Sequence, residues 1–158
     1  FSHFGQDVLA RNVNNLRIMA YEHKGYFMVV RTLLSYYTES LKFLDKEIRD
    51  EVFRKVDIFT KVKDSAPTKY GANAVIKNSL IADGCIIEGE VINSILFRGV
   101  HVAKGAVVKD SILMQNTEVG EGTQLNCVIA DKQVRVLKGR LLSGHSTHPY
   151  FITKDSIV

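Results

Sequence analysis

The chain has 158 residues, of which 46% are hydrophobic and 24% charged, which excludes global disorder. No apolar run approaches the ~18–20 residues of a membrane-spanning helix, so no membrane partner is expected. Lys and Arg outnumber Asp and Glu by 21 to 17, but the signs alternate, as in Lys46-Glu47-Ile48-Arg49-Asp50-Glu51; without a basic block, no nucleic-acid partner is expected.

The chain opens Phe1-Ser2-His3-Phe4-Gly5, with no Met, no basic n-region and no apolar h-region. It is expected to begin inside a longer protein. A short helix or loop is expected near Asp7-Val8-Leu9, then a strand around Arg17-Ile18-Met19-Ala20-Tyr21. Gly25-Tyr26-Phe27-Met28-Val29-Val30 is a continuous apolar run that predicts a buried strand. Thr32 can cap the helix after it. Leu34, Tyr37, Leu41, Leu44, Ile48 and Val52 fall on one helical face, with a break expected at Asp45. Beyond Phe53 the pattern fades into an extended connector running to Pro67. A strand and two helices in so short a stretch do not close a core alone, so they predict the last part of an α/β domain. The predicted organisation is an α/β remnant over 1–56, a connector over 57–73 and a solenoid over 74–158.

From Asn78 the chain divides into four similar lines, opening at Asn78, Asn93, Asp110 and Asn126 in steps of 15, 17 and 16. Each opens with Asn or Asp, then Ser79, Ser94, Ser111 or Cys127, then two aliphatics. Each carries a later aliphatic: Ile87, Val102, Val119 or Val136. Within a coil the spacing is a hexad, as in Val75, Ile81 and Ile87. This is the signature of a parallel β-helix of triangular coils, in which stacking buries what one coil cannot. The lines predict a serine column with Cys127 as its fourth member. They predict a second column of Ile81, Leu96, Leu113 and Ile129. Gly84, Gly99 and Asn116 fall at corners, where φ is positive. A sandwich or barrel fits less well, because its turns recur at ~8–12 residues. At the end, Pro149-Tyr150-Phe151-Ile152 and Ser156-Ile157-Val158 flank Thr153-Lys154-Asp155, which predicts a short hairpin covering the last coil.

These two grammars, in this order, resemble the bacterial glucose-1-phosphate adenylyltransferases of glycogen synthesis. Phe4-Gly5-Gln6-Asp7-Val8-Leu9, the stretch from Tyr21 to Tyr37, and the connector Thr60 to Tyr70 resemble segments of that family. The resemblance implies a mainly β chain: the end of a nucleotidyltransferase-like α/β domain followed by a left-handed parallel β-helix, a hexapeptide-repeat solenoid. The hand comes from the resemblance alone, since parallel β crossovers are right-handed in ~98% of cases. Within the family the chain is most similar to the non-catalytic second subunit. Catalytic members carry an Asp that helps hold Mg²⁺; here the matching stretch is Tyr26-Phe27-Met28-Val29-Val30-Arg31-Thr32. Val29 stands at the Asp position and offers no oxygen to a hard cation. Arg31 adds an unfavourable positive charge beside it. The expectation is a regulatory part with no catalytic residue and no cofactor of its own, Mg²⁺ and ATP belonging to a catalytic partner subunit in a hetero- or homo-oligomer, a tetramer by resemblance. The alternatives are the C-terminal part of a catalytic subunit and a hexapeptide acyltransferase.

Family members respond to sugar phosphates, and Lys154 matches a lysine some of them use. Lys61, Lys63 and Lys69 in the connector are weaker effector candidates. Phe97 and Met114, two steps beyond the aliphatic pair, are candidates for a subunit interface. His101, between two valines, is expected to point outward, with no carboxylate partner evident by spacing. Lines of nearly equal length leave no room for the long loop of an acyltransferase. His145 and His148 lack the further ligands a zinc site needs. Two cysteines, Cys85 and Cys127, are too few for a secreted disulfide framework, so a reducing cytoplasm is the expected compartment.

Overall fold

The computed structural model describes residues 3–54, 58–59 and 63–158. Among the described residues, fifteen short strands form three parallel five-stranded sheets, the faces of a triangular solenoid. Face A stacks β1 (Lys69–Tyr70), β4 (Ile86–Ile87), β7 (His101–Val102), β10 (Glu118–Val119) and β13 (Arg135–Val136). Face B stacks β2 (Val75–Lys77), β5 (Glu90–Ile92), β8 (Val107–Lys109), β11 (Gln124–Asn126) and β14 (Leu141–Ser143). Face C stacks β3 (Leu80–Ile81), β6 (Ile95–Leu96), β9 (Ile112–Leu113), β12 (Val128–Ala130) and β15 (Tyr150–Ile152).

Successive side chains of a strand point to opposite faces, so every coil contributes inward positions to a shared core. Ile87, Val102, Val119 and Val136 form one inward column, as their spacing predicts. Val91, Val108 and Leu125 form the second, and Leu96, Leu113, Ala130 and Ile152 the third. The corners are residues in the left-handed region: Gly84, Gly99, Asn116, Gln133 and Asp155 form one ladder of positive φ, and Asn78, Asn93, Asp110 and Cys127 another.

The fourth coil departs from the predicted register by one residue. Ile95, Ile112 and Ile129 stand opposite one another, so the step into the fourth coil is 17. Cys127 is therefore not the fourth member of the serine column; Val128 is, and Cys127 turns the corner at φ 52°. A one-residue slip exchanges inward and outward side chains. Leu113 is thus followed inward by Ala130, and Ile129 faces outward on face C.

The expected hairpin at the end is replaced by continued coiling. β15 pairs in parallel with β12, and Ile157 bridges in parallel to Arg135. Asp155, at φ 60°, takes the next place on the corner ladder and donates its N–H to the Lys132 carbonyl. The chain turns onto the next face instead of folding back. The last coil also carries extra residues: Ile129 stands opposite Phe151, a step of 22 against 17 before it. The surplus forms an excursion at 144–149, so the loop whose absence near-equal lines predict is present in short form.

Before the solenoid lie a π-helical segment, Phe4–Ala10, and two helices, α1 (Leu33–Lys42) and α2 (Lys46–Phe53). Thr32 caps α1 in a capping box with Ser35. Asp45 caps α2, accepting from the Glu47 N–H at 2.7 Å, and this is the break between the helices. Arg49 reaches back to the Phe43 and Leu44 carbonyls at 2.6 and 2.7 Å, satisfying the end of α1. Neither predicted strand forms, at 17–21 or at 25–30: among the described residues the first strand is β1. The run at 25–30 is exposed, Phe27 at 74%, because no neighbouring strand completes its backbone hydrogen bonds. It is held at Tyr26, whose N–H donates to Glu51 and whose hydroxyl donates to Glu39.

Candidate functional site

Three regions hold the residues with functional expectations. The first is the outer surface of face C. Its outward column runs Ile95, Ile112, Ile129, with Phe97 and Met114 beside it. Ile112 and Ile129 face away from the coil interior yet are fully buried, because α1 lies over them through Tyr36, Tyr37 and Leu41. Phe97 and Met114 are half-buried in this same cluster. Tyr37 is 3% exposed, and its hydroxyl donates to the Asp110 carbonyl at 2.6 Å, across 73 residues of sequence. Burial, reinforced by hydrogen bonding, raises the Tyr37 hydroxyl above its ordinary value. Tyr37 was legible as part of a helical face, but not as the anchor onto the solenoid.

The second region is the corner carrying Lys154. Residues immediately before the ladder of positive φ stack from coil to coil: Arg98, Gln115, Lys132, Lys154. Lys132 and Lys154 are therefore neighbours in adjacent coils, a pairing invisible to the spacing because the last coil is longer. Lys154 is exposed and lies 3.4 Å from Asp155. Of the connector lysines, Lys69 opens β1 on face A and Lys63 is exposed, neither beside Lys154 in the stack; Lys61 lies outside the described residues.

The third region is the outer surface of face A. His101 Nε2 lies 3.3 Å from Glu88 Oε2, both side chains open to solvent. This overturns the expectation that His101 lacks a carboxylate partner. The partner belongs to the preceding coil, two residues beyond Ile86, which stands opposite His101, so the pair forms only once the coils have stacked. Next to this pair, Arg135 Nε is 2.8 Å from Glu118 across successive coils. Such exposed pairs contribute little stability.

Val29 lies in the exposed extended segment before α1, and the neighbouring Arg31 N–H donates to Ser35. Valine and arginine do not suit a hard divalent cation, so the Mg²⁺ expected of catalytic members does not fit these residues. Among the described residues, no group of three or more His, Cys, Asp or Glu side chains could hold a metal, and no helix is long and apolar enough to cross a membrane.

Comparison with known proteins places these features in context. A family model described as GlmU-like, C-terminal hexapeptide, matches residues 62–148. The chain is 42% identical over 153 residues to "Glycogen biosynthesis protein GlgD" of Bacillus subtilis (strain 168), covering 96% of this chain and 45% of that protein. It is 38% identical over 128 residues to "Glucose-1-phosphate adenylyltransferase" of Desulfitobacterium hafniense (strain DSM 10664 / DCB-2), covering 80% of this chain and 32% of that protein. It is 34% identical over 140 residues to the protein of that same name in Acetivibrio thermocellus, covering 85% and 32%. The chain thus spans less than half the length of these relatives.

Proposed function

The chain belongs to the GlmU-like, C-terminal hexapeptide family, and we propose that it is the solenoid-bearing part of a regulatory, non-catalytic subunit of a glucose-1-phosphate adenylyltransferase. That enzyme converts ATP and glucose 1-phosphate to ADP-glucose and diphosphate in glycogen biosynthesis. The observation that carries this reading is the similarity to "Glycogen biosynthesis protein GlgD", which covers nearly the whole chain, helical segment and solenoid together. Val29 in place of an acidic residue supports the regulatory reading over the catalytic one. The compartment is cytoplasmic, and the partner is the catalytic subunit in an oligomer. Mg²⁺ and ATP belong to that partner.

The solenoid acts as a rigid assembly surface. The half-exposed parts of Phe97 and Met114 extend it beside α1, and the Lys132–Lys154 stack offers two positive charges to a sugar phosphate. The test is to add the full-length protein to a catalytic subunit and measure ADP-glucose formation. The expected result is no product alone and altered turnover in the mixture. Turnover by the protein alone, abolished by Mg²⁺ chelation, would overturn the regulatory reading. The His101–Glu88 pair supports the acyltransferase alternative, because a carboxylate can orient an imidazole base. Thiol release from acetyl-CoA, lost in His101→Ala, would establish that alternative.

A further inference from the structure

The serine column does more than fill space. In these parallel ladders an N–H bonds to the carbonyl one residue before its partner on the neighbouring coil. Asp110, opposite Asn93, donates to the Ile92 carbonyl, and Cys127, opposite Asp110, donates to Lys109. By the same rule Val128, opposite Ser111, should donate to the Asp110 carbonyl. Instead its N–H donates to Ser111 Oγ at 3.0 Å. The Ser111 hydroxyl in turn donates to the Lys109 carbonyl at 2.5 Å. The coils before repeat the substitution: Ser111 N–H donates to Ser94 Oγ, and Ser94 N–H to Ser79 Oγ. Where the hydroxyls stop, the rule returns: with Val128 in the column, the Tyr150 N–H donates to the Cys127 carbonyl at 2.9 Å.

A serine in this column therefore releases the carbonyl of the corner residue before it. One released carbonyl, that of Asp110, accepts the Tyr37 hydroxyl of α1 at 2.6 Å. Tyr37 is buried there against Ile112, Cys127 and Ile129, a cluster separate from the solenoid interior. The two clusters share no buried residue, so α1 can leave without opening the core.

We infer that Ser111, Asp110 and Tyr37 form a latch: the Ser111 hydroxyl diverts the Val128 N–H, and the freed Asp110 carbonyl holds α1 on the outside of face C as a separately releasable element. The latch sets how the helical segment is seated on the solenoid. Ser111 is a positioning residue in it, acting through the carbonyl it frees.

The test is amide hydrogen exchange on the whole protein, read separately for α1 and for the solenoid strands. Tyr37→Phe removes the donor and keeps the ring. It should speed exchange across α1 by about tenfold, the effect of one lost hydrogen bond to a buried acceptor, with the solenoid strands unchanged. Ser111→Ala should also speed α1 exchange, because the Val128 N–H reclaims the Asp110 carbonyl. The double variant should be no faster than the faster single one, since both break the same contact. Ser111→Thr, which keeps the hydroxyl, should restore slow exchange. Ser94→Ala breaks the column one coil away and should leave α1 unaffected. Unchanged α1 exchange in Tyr37→Phe would overturn the latch. Equal acceleration of α1 by Ser94→Ala and Ser111→Ala would show general loosening of the solenoid and would overturn the role of Ser111. Should Ser111→Ala fail to fold, Tyr37→Phe and Ser94→Ala still decide whether α1 is held at Asp110 alone.

Discussion

Cys127 stands directly over Asp110 at a corner of the solenoid, both residues with positive φ, 52° and 45°. Neither belongs to the serine column beside them. This places a β-carbon-bearing thiol in a backbone region that glycine and asparagine occupy at less cost, and Asn78 and Asn93 hold the equivalent corners in earlier coils.

Cys127→Asn relieves left-handed strain by about 1 kcal/mol but buries a carboxamide against Tyr37, Ile112 and Ile129, at a cost of about 2 kcal/mol or more, so a net loss of stability is expected. Thermal unfolding checks it.

Gly120→Ala should destabilise the solenoid by roughly 1–3 kcal/mol. A β-carbon at Gly120 would lie 2.5 Å from the Lys138 nitrogen and 2.8 Å from the Leu137 carbonyl carbon, both backbone atoms of the next coil. Gly122→Ala has room for the methyl group, so its cost comes from φ 64° alone. Chemical denaturation of the two variants separates collision from backbone strain.

Leu113→Ala should cost about 2–5 kcal/mol, because Leu113 is fully buried in the interior cluster and its removal leaves a cavity between coils. Each coil contacts chiefly its neighbours. Exchange should therefore rise most in β6, β9 and β12, and least in β1.

Alkaline pH should undock α1. Burial raises the Tyr37 hydroxyl, which faces Asp110 and Cys127, above the ordinary 10.0. Tyr26, beside Glu39, is pushed up to about 12, by desolvation first and then by its hydrogen bond to that carboxylate. A raised folded value means that the folded state holds its proton longer than the unfolded chain. The stabilisation is complete below pH 10.0 and is lost as pH rises through the folded values. Burial also raises the Tyr36 hydroxyl, so a phenolate absorbance titration should show three late-ionising tyrosines in the native protein and two in Tyr37→Phe.

Lys154→Ala should weaken binding of a sugar phosphate several-fold, and Lys132→Ala should do the same, because the two residues hold the same corner position in successive coils. Calorimetric titration of both variants checks this. Unchanged affinity in either would remove that lysine from the site.

Much of the architecture was legible in the residues because its causes are local. Recurrent glycine and asparagine mark corners where φ is positive. Alternation within short strands names the inward columns through Ile87, Val102, Val119 and Val136. Thr32 and Asp45 bracket the helices through hydrogen bonds spanning two or three residues. The Lys132–Lys154 stack and the His101–Glu88 pair were not legible, because each depends on how one coil lies on the next.

By itself the sequence determined a stacked solenoid with a helical segment before it, since a repeat that buries its aliphatics only by stacking admits little else. Tertiary structure alone decided three things. It set the register of the fourth coil, where a cysteine and a valine compete for one column and only pairing with Asp110 and Ser111 resolves which turns the corner. It turned the final residues into further coil, because Asp155 adopts the left-handed conformation in line with the corners below it. And it placed Tyr37 on the Asp110 carbonyl, since an acceptor made available by Ser111 exists only once the coils have stacked.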